Sequence, residues 1–216
     1  VTISPLAKKE DLPIPSRPII QKAVAPPYRV FVLSLTALCF CATVPASTAV
    51  DSPFPPSVTC EVDGQAITLD QTGWAKRYFF LFQVYRMAHY APSDFQGEAL
   101  SSEAAPKRIS MVFSRDVGGA RLRSDFRKSL KQRVSEEEWQ ALAPAVAAFC
   151  APITSGVERG DRFTLDWLPD GAIESRFNGK TLCRVEDPRF ARALWSIWFG
   201  PDSVVNRDDL LGDASS

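Results

Sequence analysis

Arg77 carries the clearest chemical potential in the chain: a guanidinium flanked by Tyr78, Phe79 and Phe80 in a strand-like run. In such surroundings a guanidinium can hold a carboxylate or an enolate through two parallel N–H···O bonds. An edge-strand Arg with a surface partner is the other reading, and residue types alone leave both open. His89 is the only histidine. A Ser-His-Asp or Cys-His arrangement would have to use it, and histidine-rich metal sites are excluded. A lone His within an aromatic strand reads as structural. The carboxylates are many, but no pair has a spacing that singles it out. Gly118-Gly119 lacks the further glycines and the Lys of a phosphate-cradling loop. No catalytic residue, no metal ligand and no cofactor is therefore expected. Cys60, Cys150 and Cys183 offer no zinc spacing; one disulfide with an unassigned pairing, or three buried thiols, both fit.

The elements that must position these groups are written in periodicity. Val58 to Val62 and Ile67 to Leu69 flank Asp63-Gly64, a hairpin signal. Trp74 to Tyr90 is the most aromatic stretch and predicts two strands, or one long bent strand, with both faces largely covered. Residues 91–106 read as a loop and Ile109 to Phe113 as a strand. From Gly118-Gly119 a helix follows, with Leu122, Phe126 and Leu130 as its apolar stripe and Arg121, Arg123, Arg127, Lys128, Lys131 and Arg133 around it. That basic face could meet an anionic membrane or an acidic partner, but the favoured reading is a solvated face. Ser135 and Glu138 make a capping-box pattern for a second helix through about Cys150.

Gly160 to Gly200 organises the rest. Phe163, Leu165 and Trp167 alternate with Thr164 and Asp166, the period of a half-buried strand. Pro169-Asp170-Gly171 turns the chain. Ala172 to Phe177 and Thr181 to Val185 then flank Asn178-Gly179, which suits a two-residue hairpin turn. Asp187 and Pro188 begin a last helix carrying Phe190, Leu194, Ile197 and Trp198, stopped by Gly200-Pro201.

The N-terminal quarter is different material, for ten of the 17 prolines lie at or before Pro56. Residues 1–27, rich in Pro and Lys, read as disordered or as a mis-called N-terminal extension. Residues 28–49 read as a secretory signal peptide: Arg29, an uncharged apolar run from Val30 to Val44, then small residues for cleavage. An uncleaved anchor and a buried helix are the alternatives. Residues 50–216 form the remaining domain, expected to be periplasmic or secreted. Formal charge is zero over the chain; residues 1–49 hold five of the 25 basic and two of the 25 acidic residues, leaving 20 and 23. That balance gives no reason to expect nucleic acid.

GDRFTLDWLPDG, FNGKTL and PRFARALWSIWFGP, together with KRYFFLFQVYRMAHY and KRISMVFSRDV, resemble the bacterial chalcone isomerase-like proteins over roughly Cys60 to Gly212. The resemblance implies an α+β fold, an antiparallel β-sheet covered on one face by helices, with a cleft between them. Plant chalcone isomerases close a flavonoid ring with an Arg, a Thr, a Tyr, an Asn and a late Thr. Related plastid proteins hold fatty acids with that Arg. Arg77 matches the Arg; Tyr85 falls where the first Thr belongs, Phe126 where the Tyr does, Gln132 or Arg133 near the Asn, and Ile197 at the late Thr. Each lost donor of this kind costs about 2.7–4 kcal/mol of transition-state stabilisation. The resemblance thus implies a non-catalytic member binding a small apolar or anionic amphipathic ligand at Arg77, Tyr85, Phe126 and Ile197. A chalcone isomerase-type intramolecular lyase using Tyr85, and a cell-envelope interaction module with no ligand, are the two alternatives.

Overall fold

A computed structural model describes residues 52–62, 64–95 and 105–212. The expectations for residues 1–27, for the signal segment at 28–49 and for Asp63 lie outside them. Seven strands form one antiparallel sheet in which each strand pairs with its sequence neighbour: β1 Ser57–Val62, β2 Gln65–Phe79, β3 Phe82–Ala91, β4 Lys107–Phe113, β5 Arg162–Trp167, β6 Ile173–Phe177 and β7 Lys180–Val185. Helices α1 (Gly119–Lys131) and α2 (Glu136–Cys150) join β4 to β5. Helices α3 (Pro188–Phe199) and α4 (Arg207–Leu211) follow β7.

Turn chemistry sets the register. Asn178 and Gly179 sit at φ 48° and 81°, the left-handed pair that a tight two-residue hairpin needs. Ser135 accepts the N–H of Glu138 at 3.1 Å to cap α2, and Asp187 accepts those of Arg189 and Phe190 to cap α3. Because the sheet period is two, every second residue of β2 to β6 faces the helices. Ala75, Met87, Met111 and Phe163 lie side by side on that face. They pack against Leu122, Phe126 and Leu130 of α1 and against the buried face of α3, Phe190, Leu194, Ile197 and Trp198. Phe126, Phe149 and Phe163 meet with ring centroids 5.2–6.4 Å apart.

Two expectations need correction. The aromatic stretch does form two strands, but its middle is uncovered: Tyr78 to Phe82 are the large exposed hydrophobics. The strand of alternating Phe163, Leu165 and Trp167 is not half-buried at Asp166, which is fully enclosed on the opposite face. There Arg108 grips it through two nitrogens at 2.5 and 3.0 Å and Arg176 adds a third bond at 2.6 Å. A second apolar cluster that includes Phe54, Leu69, Tyr90 and Leu168 covers this part of the sheet. Of the two readings left open for the cysteines, free thiols hold among the described residues: Cys60, Cys150 and Cys183 are unpaired, each with its pKa raised, burial being the largest cause.

Candidate ligand-binding site

Arg77 and Tyr85 are cross-strand partners on β2 and β3, so both side chains leave the sheet on its helix face. A β-bulge between Arg77 and Tyr78 twists the strand at this point. The guanidinium donates through Nη1 to the Val204 carbonyl at 2.9 Å, in the segment that leads from α3 to α4. Among the described residues no carboxylate lies within ion-pair distance of it. Arg77 also lines a cavity of about 700 Å³.

Helices roof that cavity. Phe126 and Ile197, where the resemblance implies a polar group, stand in its wall with Leu122, Phe113 and Trp198. All four residues singled out from the sequence, Arg77, Tyr85, Phe126 and Ile197, therefore line one hollow. No side chain of the described residues fills it. Its size falls within the range of about 300–1,000 Å³ usual for small-molecule sites. Basic residues outnumber acidic ones in its lining: Arg77, Arg115, Arg121 and Lys128 against Asp116 and Asp125.

Tyr85 is fixed by Trp198, whose indole N–H donates to the phenol oxygen at 3.0 Å. With its oxygen accepting from the indole, the phenol keeps its own O–H to donate. Burial, the largest cause, pushes its pKa above the ordinary tyrosine value. A phenol held neutral in this way is a donor beside a cation, not a base.

Of the two candidates near the lost Asn, Gln132 lines the cavity and Arg133 is committed elsewhere. Arg133 donates to the carbonyls of Ser129 at 2.7 Å, Ser196 at 3.1 Å and Asp202, strapping the end of α1 to the end of α3. Sequence reasoning missed Asp125, Lys128 and Ser129. Their spacing with Gln132 (i, i+3, i+4, i+7) puts them on one side of α1 and could have found them.

His89 is not in the cavity. It is fully buried near Trp195 and Phe199, ring centroids 6.0 and 4.7 Å away. Thr72 gives its single hydroxyl proton to the Leu210 carbonyl at 2.7 Å, so the 2.7 Å contact with His89 is donated by Nδ1–H. Desolvation, and secondarily Lys107, lowers the imidazole pKa to about 3. A second hollow, of about 800 Å³, lies on the other face of the sheet among Lys76, Gln83, Arg86 and Arg159. It is shallower and more open, and no helix roofs it.

An antiparallel meander carries helices on one face, and between the two lies a hollow whose wall combines apolar side chains with the Arg77 guanidinium. The sequence profile of the chalcone isomerase-like family matches residues 48–212, and the chain belongs to that family. No curated protein matches it. Among solved structures, a fatty-acid binding protein of Arabidopsis thaliana superposes with a TM-score of 0.58 at 13% identity, covering 73% of this chain and 97% of that one. At that identity the likeness shows the shared fold.

Proposed function

We propose that this protein is a non-catalytic, exported binder of a small apolar ligand with an anionic end, fatty-acid-like in character. The observation that carries the reading is Arg77, a guanidinium without a carboxylate partner among the described residues, at the wall of a hollow that also holds Phe126, Ile197 and Leu122. A partly buried guanidinium with no carboxylate partner is suited to take a ligand's anionic end through charge-assisted bonds. Tyr85, a neutral donor on the neighbouring strand, adds a second bond to the same head group, and Phe126 and Ile197 receive the tail. The structural neighbour from Arabidopsis thaliana, named for binding fatty acids, supports a ligand of this class.

Catalysis of ring closure would need several donors converging on the developing enolate. Here Phe126 and Ile197 place hydrocarbon where two of them belong. Protein purified under native conditions is expected to carry lipid that mass spectrometry detects after extraction, and Arg77→Ala protein to carry little or none. Clean wild-type protein that takes up no added fatty acid would sink the reading.

A further inference from the structure

The hairpin that follows Arg77 ends in a patch that the fold does not need. Phe80 and Leu81 form the two-residue turn between β2 and β3 and are 84% and 92% exposed, with Phe82 at 62% and Phe79 at 48%. Contiguous aromatic and aliphatic surface at a loop tip opposes folding economy and marks a contact site. The turn breaks a second rule. Phe80 has φ 54°, a left-handed conformation in which Gly or Asn would be unstrained, yet a phenyl ring occupies it. The backbone is thus held in an unfavourable state to present an aromatic side chain outward.

Cations ring this tip on both faces of the sheet. Arg115 lies 5.1 Å over the Phe82 ring and Arg121 lies 5.5 Å over that of Phe79. The hollows on either side of the hairpin are lined by seven basic residues (the Lys and Arg at 76, 77, 86, 115, 121, 128 and 159) and by only two acidic ones, Asp116 and Asp125. The chain as a whole is neutral. Apolar tip, aromatic shoulder and cationic collar are the arrangement that enters an anionic lipid interface: rings sit among the head groups, and Lys and Arg meet lipid phosphates. The same hairpin is the rim of the ligand cavity, since Phe79, Phe80 and Phe82 also line it.

We propose that the Tyr78–Phe82 hairpin docks the protein on an anionic lipid bilayer, with the mouth of the cavity against the membrane surface. The docking stands on the hairpin and its charges; that the bilayer serves as source or sink of the ligand rests on the fatty-acid-like reading above. A flotation assay with phosphatidylcholine vesicles, with and without about one-third phosphatidylglycerol, tests it. Wild-type protein floats with the anionic vesicles and far less with the neutral ones. Leu81→Asp, at a position outside the cavity, lowers partitioning about tenfold or more, as expected for withdrawing one buried apolar side chain. Phe80→Gly, which relieves the backbone at φ 54° and so keeps the hairpin folded, lowers it similarly. Lys76→Gln with Arg86→Gln, also outside the cavity, removes the preference for anionic lipid. Wild-type protein that floats with neither vesicle, or Leu81→Asp protein that floats as wild type, overturns the proposal. So does a dimer that Leu81→Asp dissolves without any vesicle binding, which assigns the tip to a second copy. Fatty-acid uptake in vesicle-free buffer separates the two claims: docking without uptake removes the ligand reading and leaves the docking intact.

Discussion

Arg77, Tyr85 and His89 show how neighbouring polar groups on one sheet face are given different tasks by burial and partners. Arg77 lines the cavity, and the Val204 carbonyl takes only one of its donors. Tyr85 is held by Trp198 with its hydroxyl proton to spare. His89 is sealed from water altogether, and the consequence is a pH dependence of stability. Its folded pKa lies near 3 against an ordinary value of 6.5. Between these values the unfolded chain binds a proton that the folded chain does not, so stability falls as pH falls from 6.5 towards 3. The slope contributed is about 1.4 kcal/mol per pH unit. Urea melts across that window should show a shallower decline for His89→Gln than for wild type. Equal slopes would mean that the imidazole protonates in the folded protein. Of these three residues, His89 was legible as structural from its aromatic neighbours, while the type of Arg77 left a ligand role and a surface role both open. Tyr85 was not legible: only the family resemblance marked it, because a tyrosine in an aromatic strand carries no signal of where its hydroxyl points.

At the scale of elements, periodicity and turn chemistry read most of the architecture. The caps at Ser135 and Asp187, the Asn178-Gly179 turn and the apolar stripes of α1 and α3 are local, and local signals survive in sequence. Two features were not local. Asp166 breaks the polar-outward alternation of β5, since the opposite face is itself covered and the carboxylate is satisfied by Arg108 and Arg176 from flanking strands. Removing a buried partner of this kind strands its counter-charges. Asp166→Ala should therefore lower unfolding stability by about 3–5 kcal/mol in denaturant titration. A loss under about 1 kcal/mol would class the cluster with surface ion pairs. The second feature is α4, a five-residue helix too short for a periodic signal. It reaches β2 at Gly73, where an added Cβ would stand 2.0 Å from the Asp209 carbonyl oxygen. Gly73→Ala must displace α4, and with it the Val204 segment that anchors Arg77. The expected outcome is weaker ligand binding together with a stability loss of about 1–3 kcal/mol. Unchanged values for both would show that α4 does not position the site.

Over the whole molecule, charge is neutral in sum and uneven in placement. Beyond residue 49 there are 20 basic and 23 acidic residues, and seven of the basic but two of the acidic ones gather about the hairpin rim. Among the described residues the remainder is 13 basic against 16 acidic, so positive charge gathers in the two hollows beside the hairpin. Such a field draws anionic ligands and anionic surfaces to the same place. No bulk number hinted at it. The aromatic run from Tyr78 to Phe82 looked like a buried strand because composition cannot distinguish an apolar segment that is covered from one that is displayed.

The central claim, one guanidinium selecting an anionic head group at the wall of the hollow, is tested most directly by calorimetric titration with a long-chain fatty acid and with the alcohol of equal length. A charge-assisted bond contributes about 1.5–3 kcal/mol, so wild-type protein should prefer the acid by about tenfold to a hundredfold. Arg77→Gln should bind the two alike. Equal affinity of wild-type protein for acid and alcohol, or a preference that persists in Arg77→Gln, would contradict the account.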